Sequence, residues 1–184
     1  MDKEAQAERV KDFMNYQITN VMQEYDPEMD QLLFHLPLAG SAFKKVYYDG
    51  QKNRAVAKFI PSEDLVVPYN ASDLMSAERI AHVLKMSEND LRKKQVSGFY
   101  RDIDLNPGIS EDNPIQEKMD KLEGVQKTDE EYDFNLIEFH AECDIEGFED
   151  LDKNGEQTGI KLPYIITVDQ NSGEVLSIYR NYKP

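Results

Sequence analysis

The chain has no tryptophan, one cysteine and only three histidines among 184 residues. A single thiol, Cys143, excludes an internal disulfide framework and cannot by itself supply a zinc cluster. Glycine is scattered: Gly40 stands alone and no G-x-G occurs, so dinucleotide fingerprint and phosphate-binding loop are both missing. Ser41 sits in A-G-S-A-F, not in a nucleophile elbow. Base is scarce, with 21 Lys and Arg against 36 Asp and Glu, a formal net charge of −15. Tight binding to a phosphate backbone needs clustered cations that displace counterions, and they are not here. No apolar run approaches the length of a membrane span. The opening residues, MDKEAQAERVKDFMNYQ, hold no apolar signal region, and the chain reads as intracellular when made.

What is present is a soluble composition, 40% hydrophobic and long enough for a real core. Acid is densest from Glu111 to Asp133 and from Glu142 to Glu156, the usual mark of solvated surface. The central stretch is Leu32 to Pro68. A helix ends there near Pro37, and Ala39, Gly40 and Ser41 let the chain turn. AFKKVYYD and AVAKFI then read as a hairpin around Asp49–Gly50. PSEDLVVP follows as an extended run bracketed by prolines.

In chain order, Lys3 to about Tyr25 reads as one amphipathic helix. Ala7, Val10, Phe13, Met14, Ile18, Val21 and Met22 recur at three- and four-residue steps and form a stripe that must pack on something. Asp26–Pro27 suits the next helix start, with Asp as cap and Leu32, Leu33 and Leu36 facing inward. Arg79 to Met86 reads as a strand. Ser87 with Asp90 matches a capping box for a short helix that ends at Gly98. Residues 100–133 form an acidic linker, with a short helix from Asn113–Pro114 to Leu122. Residues 134–184 form a β-meander. In it Ile137, Phe139, Ala141, Cys143 and Ile145 alternate as a buried face, against Glu138, His140, Glu142 and Asp144 as the wet one. LPYIITVD and EVLSIYRNY close it as a second hairpin. The architecture is α+β in a single domain over 1–184, helices first and antiparallel strands dominating the end. The end at Lys183–Pro184, straight after a strand, reads as a cut from something longer.

Candidate chemistry is thin. Asp150-Leu151-Asp152-Lys153-Asn154-Gly155 matches the first half of a calcium loop, but Lys161 stands where a bidentate glutamate should close it, and a strand leads in instead of a helix. His140 between Glu138 and Glu142 suggests an acid–base or metal cluster, yet no second histidine lies nearby in sequence. A surface strand histidine is the simpler reading. His35 and His82 read as partly buried structural histidines, and Cys143 as a small hydrophobe on the apolar strand face. The carboxylates are numerous enough for a two-metal nuclease but form no constellation. Tyr47, Tyr48, Phe59, Tyr69, Phe99 and Tyr100 cluster around the middle strands, a pattern of core more than of a base-stacking platform. No catalytic, cofactor or metal residue is therefore assigned, and no enzyme activity is expected.

Four long, ordered blocks carry a family likeness: AERVKDFMNYQIT, YDPEMDQLLFHLPLAGSAFKKVYYD, PSEDLVVPYNASDLMSAERIAHVLKMSENDLRKKQVSGFY and GIKLPYIITVDQNSGEVLSIYRNY. Together they resemble the wing region of portal proteins of short-tailed double-stranded DNA phages. The resemblance implies a structural protein of the virion, assembled in the host cytoplasm, without active site, cofactor or membrane association. It implies self-association into a ring at one capsid vertex, with capsid protein, terminase and tail adaptor as partners. DNA would pass through the ring without sequence-specific binding, and an acidic surface suits a conduit that must not grip phosphates. Family polypeptides are longer, and their stem, clip and crown regions have no counterpart here, so the chain reads as a wing fragment. The alternative is a calcium- or metal-binding α+β interaction module without catalysis.

Overall fold

The computed structural model describes residues 2–74, 76–106, 122, 124 and 134–181. It is α+β. The chain, expected as one domain, divides into two compact units, residues 1–65 and 66–184.

In the first unit, α1 (Asp2–Tyr16) gives way to a π-helical turn, Gln17–Val21. The Met22 N–H reaches the Gln17 carbonyl at 2.9 Å, so an extra residue enters the turn. The helix expected to run to Tyr25 therefore ends early, and the apolar stripe is put out of phase. Its early members, Val10, Phe13 and Met14, are exposed, and only Met22 is buried. Helix α2 (Tyr25–Ala39) follows. Asp26 is not its cap; the helix starts two residues earlier than expected, at Tyr25 behind Glu24, with no side-chain cap. Pro37 lies inside its last turn, and Gly40 ends it at φ +77°, where the Gly40 N–H meets the Leu36 carbonyl. Leu33 and Leu36, expected inward, are exposed.

The hairpin is present, with β1 (Phe43–Asp49) antiparallel to β2 (Arg54–Ile60), from Phe43 opposite Ile60 to Asp49 opposite Arg54. Its turn is longer than two residues. The Asp49 carboxylate accepts the N–H groups of Gln51 and Lys52, and Asn53 takes φ +51°. Helix α2 packs on β2. Glu24 accepts from Arg54 at 2.7 Å, and Glu28 accepts the Phe59 backbone N–H at 2.6 Å. The run after Pro61 is not extended throughout. Ser62–Asp64 makes a 3₁₀ turn before the two-residue strand β3 (Leu65–Val66).

The second unit is built on a sheet of order β3–β4–β5–β6–β7. Strands β4 (Arg79–Met86), β5 (Phe134–Cys143), β6 (Leu162–Asp169) and β7 (Val175–Arg180) pair antiparallel in succession. Helix α3 (Glu88–Val96) opens as expected, with the Ser87 hydroxyl accepting the Asp90 N–H at 3.3 Å. It closes at Gly98, φ +74°, which lets Gly98 and Phe99 bond back to Gln95 and Lys94. The core joins Leu91, Tyr100, Phe134, Leu136 and Leu176, with Leu84, Met86, Ile103 and Leu105 packed against it.

This core departs from the face expected for β5 only at the start of the strand; at its end the expected alternation holds, with Glu142 and Asp144 exposed and Ala141, Cys143 and Ile145 half-buried. The strand begins at Phe134, and Phe134 and Leu136 (0% exposed) put the buried face on the parity of Glu138 and His140. The alternation was read from residues beyond the two that α3 and Tyr100 cover. The helix expected from Asn113 to Leu122 and the acidic connector from Asp129 to Asp133 fall almost wholly outside the described residues.

Candidate functional site

The sheet register collects the polar residues of the second unit into one row. His82 of β4 lies opposite Glu138, Glu138 opposite Thr167 of β6, and Thr167 opposite Ser177 of β7. Thr167 and Ser177 are buried. His140, one step along β5, places its Nε2 at 2.7 Å from Glu138 Oε1, and their side chains are 32% and 16% exposed. His140 is thus half-buried beside the half-buried Glu138 carboxylate, not a residue of a fully wet face. Sequence spacing could not show that His82 faces Glu138, because only the strand register brings them together. Even so, among the described residues no three His, Cys, Asp or Glu side chains group closely enough to hold a metal ion.

The Asp150 loop spends its oxygens on itself. Asp152 Oδ1 accepts the N–H groups of Asn154 and Glu156, and Asp152 Oδ2 accepts from the Asn154 amide. These bonds, the one from Glu156 foremost, hold the Asp152 carboxyl below its ordinary value. Asp150 Oδ2 accepts from the Thr158 hydroxyl, and Leu151 bridges to Gln157. The geometry is that of a small hairpin fastened by Asx-type turns. The acidic spacing that suggested calcium is accounted for by these bonds.

A cleft of about 410 Å³ opens between α3 and residues 102–105. Its floor is Leu91, Ile103, Leu105 and Phe134, and Glu88 and Asp104 stand at its sides. Among the described residues that line it the one cation is Arg92, which is engaged by Asp102 and by Gln95 Oε1. Gln95 Nε2 in turn donates to the Ile103 carbonyl at 2.7 Å. These contacts brace the residue 102–105 segment against α3 and present no activated nucleophile.

The remaining expected residues are dispersed. His35 of α2 lies 5.0 Å ring to ring from Phe59. Cys143, half-buried, ends β5, and Ser41 is exposed in the turn before β1. Residues that sequence reading passed over do structural work. Buried Asp169 receives the Ser172 N–H and hydroxyl on Oδ2 at 2.8 and 2.6 Å, fastening the β6–β7 turn. The D-x-x-S spacing there was its available signal.

The first unit bears exposed apolar side chains on both of its α-helices. Phe13 (62% exposed), Val10 and Met14 on α1, and Leu33, Phe34 and Leu38 on α2, are uncovered. Apolar side chains at this density on two consecutive helices mark an interaction face more than a catalytic one. No helix among the described residues is long and apolar enough to cross a membrane. Comparison with protein-family models and with curated proteins produced no match.

Proposed function

We propose that the chain is a structural, non-catalytic piece of a portal ring, the wing segment that packs between neighbouring subunits at a phage capsid vertex. The observation that carries this reading is the exposure of Val10, Phe13 and Met14, which share a stripe of α1 at three- and four-residue steps, since such a stripe is completed by another surface. The four sequence blocks that resemble portal wings support it, and so does the charge of −15, which disfavours a grip on passing DNA. In this reading self-association is head to tail and closes into a ring. Capsid protein, terminase and tail adaptor then meet surfaces of the whole ring, and the protein resides in the virion.

Negative-stain imaging of the complete polypeptide to which the chain belongs tests the proposal. Rings with a central channel are expected. Compact monomers under several salt conditions would overturn it.

A further inference from the structure

Helix α2 has two faces with different surroundings. Glu28 and His35 turn to β2, where Glu28 accepts the Phe59 N–H and the His35 ring lies against Phe59. Asp30, Phe34 and Leu38 follow one another at four-residue steps on the opposite side, with Asp26 one turn earlier. Phe34 and Leu38 are each 55% exposed, and both aspartates are exposed. The helix contains no lysine or arginine. Its outer stripe is therefore acidic at the start and apolar toward the end.

The five-stranded sheet carries a face of the converse kind. Its register sets Ala81, Phe139, Ile166 and Ile178 in one row across β4 to β7, and Val83, Ile137, Val168 and Val175 in the next. All of these are half-buried, whereas Phe134 and Leu136, on the face that α3 covers, are 4% and 0% exposed. On the other side of the Phe139 row stand Arg79 and Arg180, both exposed, at the two ends of a row whose Tyr164 ring lies against Phe148. Exposed Lys85 lies one row beyond Val83. The acids of these four strands, Glu138, Glu142 and Asp169, all belong to the opposite face. In a chain of net charge −15, these strands thus frame an apolar face with cations.

The two surfaces match in spacing. Residues four apart on a helix advance about 6 Å, and same-face residues two apart on a strand advance about 6.7 Å. A helix laid along β5 and β6 with Phe34 over the Phe139 row sets Leu38 over the Val83 row and Asp30 beside the Arg79–Arg180 row. Its C-terminal end then meets Lys85, where the last carbonyls favour a cation.

We propose that the outer stripe of α2 docks on this sheet face of a second copy. A surface exposed within the chain is completed from outside it, and unlike charges at both ends fix the direction of the helix. The contact joins unlike surfaces, so it propagates head to tail. It uses α2 instead of the α1 stripe and needs no virion, so it does not rest on the portal reading.

Sedimentation of the full 184-residue chain over a concentration series tests this. Reversible association beyond the monomer is expected. Phe34→Asp, at an exposed position, should weaken it about tenfold or more, and Arg79→Glu combined with Arg180→Glu should do so through the other surface. Each of these variants keeps the surface that the other has lost. Mixed at a concentration where each alone is monomeric, they should form a one-to-one heterodimer. Circular dichroism monitors folding, and Leu38→Asp serves as a second exposed site on the stripe. A wild-type chain that stays monomeric throughout overturns the proposal and leaves both faces to other occupants. So does association that the variants leave unchanged, and so do variants that stay apart when mixed. Rings of the complete polypeptide that survive Phe34→Asp would uphold the portal reading and sink this contact, whereas head-to-tail association without rings would do the reverse.

Discussion

The two units reach stability by different means. The second closes an apolar cluster between a sheet of five strands and α3, and its core residue Leu136 is fully buried. The first has a two-stranded sheet, and its buried apolar residues among those described are Met22, Val56, Ala57 and Ile60. In place of a broad core it relies on polar ties from α2 to β2, Glu24 to Arg54 and Glu28 to the Phe59 N–H. Burial of apolar area scales with the layers that can be stacked, and one hairpin under one helix stacks few. Both units leave large apolar side chains exposed, Phe13 and Phe34 in the first and Tyr69 and Val96 in the second, so the difference between them lies in what is buried.

That contrast can be broken most strongly at Leu136. Leu136→Ala should cost about 2–5 kcal/mol, because a fully enclosed site collapses little around the void. Hydrogen exchange would show lost protection across β4 to β7, with β2 amides unchanged; equal loss in both units would mean that they unfold as one. Next comes Glu28→Ala, which strips the Phe59 N–H of its charged acceptor and should cost about 1–3 kcal/mol, read as faster exchange confined to 54–60. Ser87→Ala removes the α3 cap and should cost about 1 kcal/mol, seen as a lower urea midpoint of the second unit.

The smallest effect is one of pH. The hydrogen bond from Arg54 holds the Glu24 carboxyl below its ordinary value. A carboxyl depressed on folding binds its proton more readily when unfolded, so its contribution is present above the unfolded value and is lost as pH falls through the folded one. Exchange protection of β2 should therefore decline on acidification below the ordinary carboxylate range. In Glu24→Gln that part of the decline should be absent.

Local features were legible where the chemistry is local. The β4 boundaries, the Ser87 cap, the Gly98 stop and the pairing of β1 with β2 follow from short-range patterns, whereas the α2 end expected near Pro37 lies at Ala39. The π turn at Gln17–Val21 was not legible, since a single extra residue in a helix leaves no periodic signature. Nor was the buried face of β5. Alternation over 137–145 named two faces correctly but could not say which one α3 would cover, and Phe134 and Leu136 decided that by docking against Leu91 and Tyr100. The Asp150 loop shows the converse. Its letters suggested ligands for an ion, and the fold gives those oxygens to neighbouring N–H groups.

By itself, the order of residues determined an α+β chain without the cysteine, histidine or glycine patterns of the familiar catalytic and cofactor sites, because those exclusions depend only on which side chains exist and how they are spaced. Tertiary structure alone decided that His82 faces Glu138 and that Glu28 closes a strand edge. Each of these joins residues more than 30 positions apart, and strand register and helix docking, which set such distances, are properties of the whole packing and not of any segment.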